Sequence, residues 1–386
     1  MRKISALLFI LLLTSTAWAY KTVNVGLFNG KIFTRCGLDL QKGEITVYAD
    51  DELVGTLKSG QHADISAPGA TVSIVFGGRT LTSKKKITLR SNGFAEYKLT
   101  PVGQKATSRV YEGDIIGIPV SGRLQLVNQL DLERYVPGVI EAEGGSKHDI
   151  EYYKVQAIIS RTYVCANLRR HEVEGFNVCD GTHCQVYHGR PRHEPLVTVA
   201  TEQTEDIVIV DQNIDLITAA FHSNCGGHTV NAENVWSKPL SYCVGVRDTF
   251  CLVMPNSNWE KSVPAEQWTN YLSSKRVPLD DTTHLSPMSY FPGEKQEYFV
   301  DSTLKIPTKV IRQDFKLKSA FFTVHQFGPN ITFIGQGFGH GVGLCQEGAM
   351  RMASLGYSYQ DIVHFYYKDV HLIPLRFINF FKEDAP

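Results

Sequence analysis

The chain has 386 residues, with 39 lysines and arginines against 39 aspartates and glutamates, so its formal net charge is zero. This balance gives no electrostatic reason to expect nucleic acid or an anionic membrane surface as a partner, because both favour a basic protein face. Apolar residues make up 43% of the chain and charged residues 20%, a composition that excludes wholesale disorder and predicts two or three folded domains at this length.

The first 19 residues have the features of a secretory signal peptide. Arg2 and Lys3 precede an apolar run, Ala6–Leu13, and the segment ends in Ala-Trp-Ala at positions 17–19. A basic start, a short apolar core and an Ala-x-Ala end predict cleavage after Ala19. An uncleaved anchor is the alternative, but the run is shorter than the ~20 residues that a spanning helix needs. We therefore expect an exported protein, periplasmic or cell-wall associated, with no transmembrane anchor after cleavage.

Residues 20–109 have the pattern of a small all-β accessory domain. Apolar and polar residues alternate at positions 45–48, 53–57 and 71–76, and the last run ends in Gly77-Gly78. Such alternation predicts half-buried strands, and the glycine pair predicts a hairpin turn. No residues in this part of the chain have catalytic spacing.

Residues 110–386 predict a mixed, β-rich domain with a few helices, so the fold class is α+β. Strands are predicted at 117–120, 122–127, 331–334 and 372–381, and helical spacing follows Ser146 as far as Arg170. Further helices are predicted from Cys345 to Leu355 and from a capped start at Ser358. Residues 252–308 are rich in Pro, Ser and Asn and predict a loop-rich excursion.

The densest group of metal-binding residue types comprises His171, Cys179, His183 and Cys184. Two thiolates and two imidazoles suit tetrahedral zinc, although the spacing is not that of a zinc finger. The turn at residues 181–182 would let the adjacent His183 and Cys184 face one ion. A Cys179–Cys184 disulfide is the alternative in an exported protein. Four protein ligands would make such a zinc structural, whereas activation of water needs an open position.

Three other segments carry candidate polar groups. The alternating glycines at 335–343 fit no nucleotide-binding motif but allow close backbone approach, and His340 among them is either a ligand contact or a hydrogen-bonded turn residue. Glu141 and Glu143 stand two apart, so on a strand they would share a face, with Glu143 at the change from strand to loop. Ser223 beside His222 lacks a nucleophile elbow, which favours polar contacts to a substrate over a hydrolase nucleophile.

Together these segments resemble the stage II sporulation protein D family, also called the SpoIID/LytB domain. The resemblance extends from about Val110 to Ile373, does not include the N-terminal β domain, and follows the order of the family's motifs. The matching segments are 124–143 (similar to VNxLxLExYLxGVVxxE), 157–163 (AxAARTY), 221–227 (HSxxGG) and 337–349 (GxGHGVGMSQxGA).

The resemblance implies a peptidoglycan lytic transglycosylase. Such an enzyme cleaves the β-1,4 bond from N-acetylmuramic acid to N-acetylglucosamine in peptide-stripped glycan strands and leaves a 1,6-anhydro sugar. The family's catalytic carboxylate falls on Glu143. Its zinc ligands fall on Cys179, His183 and Cys184, with His171 as the fourth, and we expect this zinc to be structural.

A single carboxyl at Glu143 could protonate the leaving oxygen and then accept a proton, which requires a pKa raised by partial burial. We expect six further side chains to contact the glycan. Three supply apolar walls and stacking surface (Tyr163, Tyr187 and Trp236), and three hold hydroxyl and acetamido groups (Ser223, His340 and Gln346).

The sequence departs from the family pattern at two places. Gly144-Gly145 follows Glu143 where the family usually has Met-Pro, and Leu344-Cys345 precedes Gln346 where Met-Ser is common. Two other functions stay open. One is a non-catalytic glycan-binding module that stimulates a cell-wall amidase, which would have no need of Glu143. The other is a zinc-dependent hydrolase, which requires an open coordination position.

The six cysteines outside the predicted zinc set allow 15 disulfide pairings, among which the sequence does not choose. A bridge between Cys243 and Cys251, the closest pair along the chain, is one hypothesis.

Overall fold

The structure is a computed structural model that describes residues 22–103, 107–236, 238–277, 287–293, 295–300 and 306–378. The predicted signal peptide, residues 1–19, lies outside the described residues. Within the described residues, no helix has the length and apolar character needed to span a membrane. The described residues form two compact units, of which the first takes its residues from 22–147, 156–208 and 373–378 and the second from 148–155 and 209–372. Strands and helices are both abundant, which confirms the α+β class.

A large, mostly antiparallel sheet forms the first unit. Its strands are β1 (Thr22–Leu27), β2 (Arg35–Ala49), β3 (Glu52–Lys58), β4 (His62–Ser66), β5 (Val72–Phe76), β6 (Arg79–Ser83), β7 (Ile87–Pro101), β8 (Arg109–Glu112), β9 (Asp114–Val120), β10 (Arg123–Asp131) and β11 (Val178–Cys179). The order is β11-β1-β10-β9-β7-β2-β4-β5-β6, with β3 beside β2 and β8 beside β7. The β1–β11 pair is parallel.

The alternation of the sequence matches the two faces of these strands. In β7, for example, Ala95, Tyr97 and Leu99 are fully buried, and the residues between them are half-buried. Gly77 and Gly78 both have positive φ angles, 55° and 73°, as a two-residue hairpin turn between β5 and β6 requires. The predicted strands at 45–48, 53–57 and 71–76, and this hairpin, are therefore confirmed.

The sheet continues across the boundary predicted at residues 109 and 110. β7 pairs with β9, and β1 pairs with β10 along its whole length. Residues 22–101 and 109–131 thus share one sheet rather than forming two separate ones.

The first unit also contains α1 (Leu132–Gly144), the C-terminal part of α2 (Ile150–Ala166) and α3 (Leu196–Gln203), and strand β12 (Ile207–Val210) begins in it. Helix α2 confirms the predicted helix but ends four residues earlier. The interpretation of Glu141 and Glu143 as strand residues, with Glu143 at the change from strand to loop, is wrong, because both lie in helix α1. Its valines, proline and glycine disfavour a helix, but Tyr135, Val136, Val139 and Ile140 are fully buried, and this packing outweighs intrinsic propensity.

In the second unit, a three-stranded antiparallel sheet packs against helices over an aromatic core that includes Trp268, Phe299 and Phe333. The elements of this unit are β13 (Phe221–His222), α4 (Glu233–Trp236), β14 (Asn258–Pro264), α5 (Ala265–Ser274), α6 (Thr308–Asp314), β15 (Phe322–Phe327), β16 (Asn330–Gln336), β17 (Leu344–Cys345), α7 (Gln346–Ser354) and α8 (Tyr359–Tyr366). Strand β18 (His371–Pro374) ends the described elements apart from a short 3₁₀ turn.

The segment predicted as a loop-rich excursion, residues 252–308, contains β14 and α5, and parts of it lie outside the described residues. The predicted strand at 331–334 lies in β16, and the predicted helix from Cys345 is α7, with Cys345 as its N-cap. Ser358 and Asp361 form the predicted capping box of α8. The predicted final strand is shorter than expected, and its residues 379–381 lie outside the described part.

Candidate functional site

Glu143 lies in the last turn of α1, where its side-chain carboxylate accepts a hydrogen bond from the Val186 amide at 2.6 Å. Burial raises the pKa of Glu143 above its ordinary value, and the Val186 hydrogen bond opposes part of that rise. A carboxyl with a raised pKa keeps its proton at higher pH, which is the property that a general acid needs.

Glu141 and Glu143 have different partners because both lie on a helix. Residues two apart on a helix differ in direction by ~200°, so the expectation that they share the face of a strand is wrong. The Glu141 carboxylate accepts hydrogen bonds from the amides of Arg192, His193 and Glu194, at 2.9, 2.7 and 2.9 Å. Glu141 therefore holds the 192–194 turn.

The two tyrosines predicted to contact substrate differ in exposure. Tyr163 is half-buried. Tyr187 is fully buried; its hydroxyl donates to Asn128 Oδ1 at 3.1 Å, and its ring packs on Tyr135 with centroids 5.0 Å apart. A side chain enclosed in this way presents no face to a sugar in this structure, which argues against the predicted stacking of Tyr187 on the glycan.

Tyr135 interacts both with Glu143 and with the loop that contains Cys184 and Gln185. Burial raises the pKa of Tyr135 well above its ordinary value, and the charges of Cys184, Tyr163 and Glu143 raise it further. The Tyr135 hydroxyl also donates to Gln185 Oε1 at 3.3 Å. These interactions bring Glu143, Tyr163 and the loop around residue 184 into one neighbourhood of the first unit.

The four predicted metal ligands lie together in the first unit. One ligand atom from each of His171, Cys179, His183 and Cys184 lies within 4.8 Å of the others. His171 Nε2 is 3.3 Å from Cys184 Sγ, and His183 Nδ1 is 3.7 Å from Cys184 Sγ and 4.0 Å from Cys179 Sγ. Such spacings fit the edges of a tetrahedron with bonds of ~2.0–2.3 Å. Both cysteines are free, so the structure does not contain the alternative disulfide.

Neighbouring residues orient this donor set, and sequence patterns did not point to them. Glu174 Oε1 lies 2.5 Å from His171 Nδ1, which leaves Nε2 directed at the cluster. The Asp180 carboxylate accepts from the Phe28 amide at 2.6 Å and from Arg109 at 2.7 Å. These contacts fasten the loop between Cys179 and Tyr187 to the large sheet.

The remaining predicted substrate contacts lie in the second unit. Parallel pairing of β13 with β17 brings Ser223 close to the start of α7. Trp236 is 41% exposed, and its ring lies 5.3 Å from that of His340, so it offers a stacking surface. Burial lowers the pKa of His340 to about 4, so this imidazole is neutral at pH 7 and suited to hydrogen bonding. Gln346 is buried as the first residue of α7, which argues against its predicted role as a substrate contact.

Comparisons with known proteins agree with the motifs. The family model described as Stage II sporulation protein matches residues 120–210. The chain is 30% identical over 293 residues to an uncharacterized protein of Brachyspira hyodysenteriae, which covers 72% of this chain and 75% of that protein. It is 28% identical over 297 residues to the stage II sporulation protein D of Bacillus subtilis, covering 72% and 85%. It is also 29% identical over 282 residues to the amidase enhancer of Bacillus subtilis, covering 60% and 39%. The chain therefore belongs to the stage II sporulation protein D family.

Proposed function

We propose that this protein is an exported peptidoglycan lytic transglycosylase in which Glu143 is the general acid and base. Membership of the family and the similarity to an amidase enhancer support a cell-wall related function. The observation that carries the finer proposal is the placement of Glu143, a half-buried carboxyl with a raised pKa at the end of α1.

The proposed reaction needs one carboxyl. Protonated Glu143 donates its proton to the glycosidic oxygen as the bond from that oxygen to the anomeric carbon breaks. The resulting carboxylate takes the proton of the sugar's 6-hydroxyl, whose oxygen bonds to the anomeric carbon. Glu143 is protonated again, no water is consumed, and the product carries a 1,6-anhydro end. This use of one carboxyl differs from that of ordinary glycosidases, which need two.

We further propose that His171, Cys179, His183 and Cys184 hold a structural zinc ion. The chemistry of the donor set and the spacing of its atoms fit tetrahedral zinc. Zinc would supply four bonds that fix the loop following Cys179. That loop includes Val186, whose amide hydrogen-bonds to Glu143, so the ion would act on catalysis by positioning. A full set of four protein ligands does not favour a zinc-dependent hydrolase.

The decisive experiment incubates the purified mature protein with peptide-free glycan strands and analyses the products by mass spectrometry. We expect anhydro-ended fragments from the wild type and none from Glu143→Gln. Glu141→Gln is the matched control, because Glu141 lies on the same helix turn but binds the 192–194 turn, and it should retain activity. Strand binding should persist in Glu143→Gln. Products with ordinary reducing ends would contradict the proposal.

The similarity to an amidase enhancer favours a second candidate function, a glycan-binding module that stimulates a cell-wall amidase. In that case the wild type would release no anhydro fragments. Wild type and Glu143→Gln would instead increase the activity of an added amidase on intact peptidoglycan to the same extent.

A further inference from the structure

A second cluster of metal-binding residue types lies in the second unit and shares no residue with the proposed catalytic and zinc sites of the first. One ligand atom from each of Cys225, Asp248, Cys251 and Cys345 lies within 4.8 Å of the others. All four residues are at most 2% exposed. We propose that these residues bind a second structural zinc ion through three thiolates and one carboxylate.

The spacing of the ligand atoms suits a single ion. Cys225 Sγ is 3.4 Å from Cys251 Sγ and 3.3 Å from Asp248 Oδ2. A tetrahedral zinc with sulfur bonds of ~2.3 Å separates its sulfur ligands by ~3.8 Å. Outward shifts of a few tenths of an ångström therefore admit the ion. Thiolate ligands select zinc over the hard cations that prefer oxygen alone.

Backbone amides point at two of the three sulfur atoms. The amides of Cys225 and Gly348 donate to Cys345 Sγ at 3.3 and 3.4 Å. The amide of Gly227 donates to Cys251 Sγ at 3.3 Å, and Gly227 has a φ of 97°, which favours glycine. Hydrogen bonds of this kind are stronger to an anionic acceptor, so the backbone is arranged for thiolates rather than for neutral thiols.

Hydrogen bonds fix the orientation of the Asp248 carboxylate, as they do for carboxylates that bind a metal ion. Its Oδ1 accepts from the amides of Phe250 and Cys251 at 3.0 and 3.3 Å, and its Oδ2 accepts from the Tyr366 hydroxyl at 2.9 Å. A Cβ on Gly348 would lie 2.3 Å from Asp248 Oδ2 and 2.1 Å from the Tyr366 hydroxyl, so this arrangement requires glycine. A fully buried carboxylate among sulfur atoms is unfavourable unless a cation compensates it, and a divalent ion would do so.

A lysine partly balances the remaining charge. Three thiolates, one carboxylate and one divalent ion leave a net charge of −2. Lys295 Nζ donates to the carbonyl oxygen of Cys225 at 2.6 Å, which places a cation beside the cluster.

A disulfide accounts for this cluster less well. All eight cysteines are free in the structure, and Cys251 lies beside Cys225 rather than Cys243, so the hypothesis of a Cys243–Cys251 bridge is wrong. A Cys225–Cys251 bridge would pair two of three clustered thiols and leave Cys345 and Asp248 buried beside it. Cys345 also stands where serine is common in the resembled family motif.

The ion would join three segments far apart in the chain. These are the turn after β13, the 3₁₀ helix Phe250–Val253 with the residues before it, and the start of α7. Next to the cluster, the Glu347 carboxylate accepts from the side-chain amides of Asn224 and Asn256 at 2.6 and 2.7 Å. The Glu347 amide donates to the Ser223 carbonyl at 3.0 Å. The ion would thus support the turn that carries Ser223.

The test counts zinc per chain by elemental analysis of the mature protein, purified from the export compartment without chelator. We expect about two zinc ions in the wild type and about one in Cys345→Ser. Cys243→Ser is the matched control, because Cys243 is a buried free cysteine outside the cluster, and it should keep about two. Cys184→Ser should lose the other ion, so failure of the first site is distinguishable from failure of the second.

A second variant that keeps all three sulfur atoms distinguishes loss of the metal site from misfolding of the protein. Asp248→Asn should release one of the two zinc ions to a chelator at least 10-fold faster than the wild type, while the other is released at an unchanged rate. Two results would overturn the proposal. One is a zinc content in Cys345→Ser equal to that of the wild type. The other is a Cys225–Cys251 disulfide in a non-reducing peptide map of the native protein.

Discussion

Breaking the ion pair between Glu133 and Arg161 by removing one partner should cost far more stability than breaking a surface ion pair. Arg161 on α2 has a fully buried side chain and Glu133 on α1 is 26% exposed. The pair is bidentate, with nitrogen–oxygen distances of 2.7 and 2.6 Å. A third guanidinium nitrogen donates to the Ile207 carbonyl at 3.0 Å. Replacing Glu133 with Gln would leave a buried positive charge whose main acceptor is gone.

The expected cost follows from this burial. Removing one partner of a buried pair costs about 3–5 kcal/mol, and the partial exposure of Glu133 places the expectation at the lower end, about 3 kcal/mol. With a urea dependence of ~3 kcal/mol per molar, the unfolding midpoint of Glu133→Gln should fall by about 1 M. The measurement is urea denaturation of the mature protein followed by circular dichroism and tyrosine fluorescence.

Arg35 and Asp64 provide the matched control. They form the same bidentate geometry in the same unit, at 3.0 and 2.7 Å, but the Arg35 side chain is 55% exposed. Asp64→Asn should therefore cost less than about 1 kcal/mol, and high salt should reduce its effect. The reasoning is refuted if Glu133→Gln shifts the midpoint no more than Asp64→Asn does.

Three further predictions concern the candidate site. Gly138→Ala should destabilise the protein by about 1–3 kcal/mol in the same assay, because its Cβ would lie 2.2 Å from a backbone oxygen. Gly181→Ala is the control and should be neutral, because its Cβ would have no atom within 4 Å. Equal effects of the two substitutions would contradict the packing argument. Glu174→Ala should weaken zinc binding at the site of His171, Cys179, His183 and Cys184 by ~10–100-fold in competition with a chelating dye, because Glu174 orients His171. An unchanged zinc affinity would exclude this orienting role of Glu174. The pKa of Glu143 is raised, so cleavage activity should persist above the ordinary glutamate pKa and fall as pH rises through the folded-state value. The stability associated with protonation of Glu143 is fully present below the unfolded-state pKa and is lost as pH rises through the folded-state pKa. The unfolding midpoint of Glu143→Gln should therefore decline less from pH 5 to 8 than that of the wild type. An identical decline in the wild type and the variant would contradict the burial of this carboxyl.

Much of the fold was predictable where the pattern along the chain repeats. Strict alternation identified the N-terminal strands, and the capping box identified the start of α8. The pattern failed for α1, because its valines, proline and glycine suit a strand and burial of Val136 and Ile140 decides otherwise. It also failed to show that the sheet continues past residue 109, since strand pairing over such distances leaves no local signal.

The residues of the candidate sites were likewise predictable only where they lie close together in the chain. His171, Cys179, His183 and Cys184 lie within 14 residues of one another in the chain, and the sequence predicted them as a set. The sequence does not predict the cluster of Cys225, Asp248, Cys251 and Cys345, because its last member is distant in sequence and reaches the others through tertiary contacts such as the pairing of β13 with β17. The fully buried position of Tyr187 was also beyond a sequence argument, since aromatic residues serve cores and sugar-binding surfaces equally.

The glycine pair after Glu143, which departs from the family's Met-Pro, has a structural explanation. Gly145 has a φ of 71°, a region that favours glycine, and its amide donates to the Glu141 carbonyl at 3.2 Å. It thereby ends α1 directly after the turn that carries Glu143. Proline ends a helix by a different route, through its missing amide and its clash with the preceding turn. A proline at position 145 would also lack an amide to continue the helix, so the departure from the family pattern is compatible with a helix that ends directly after Glu143.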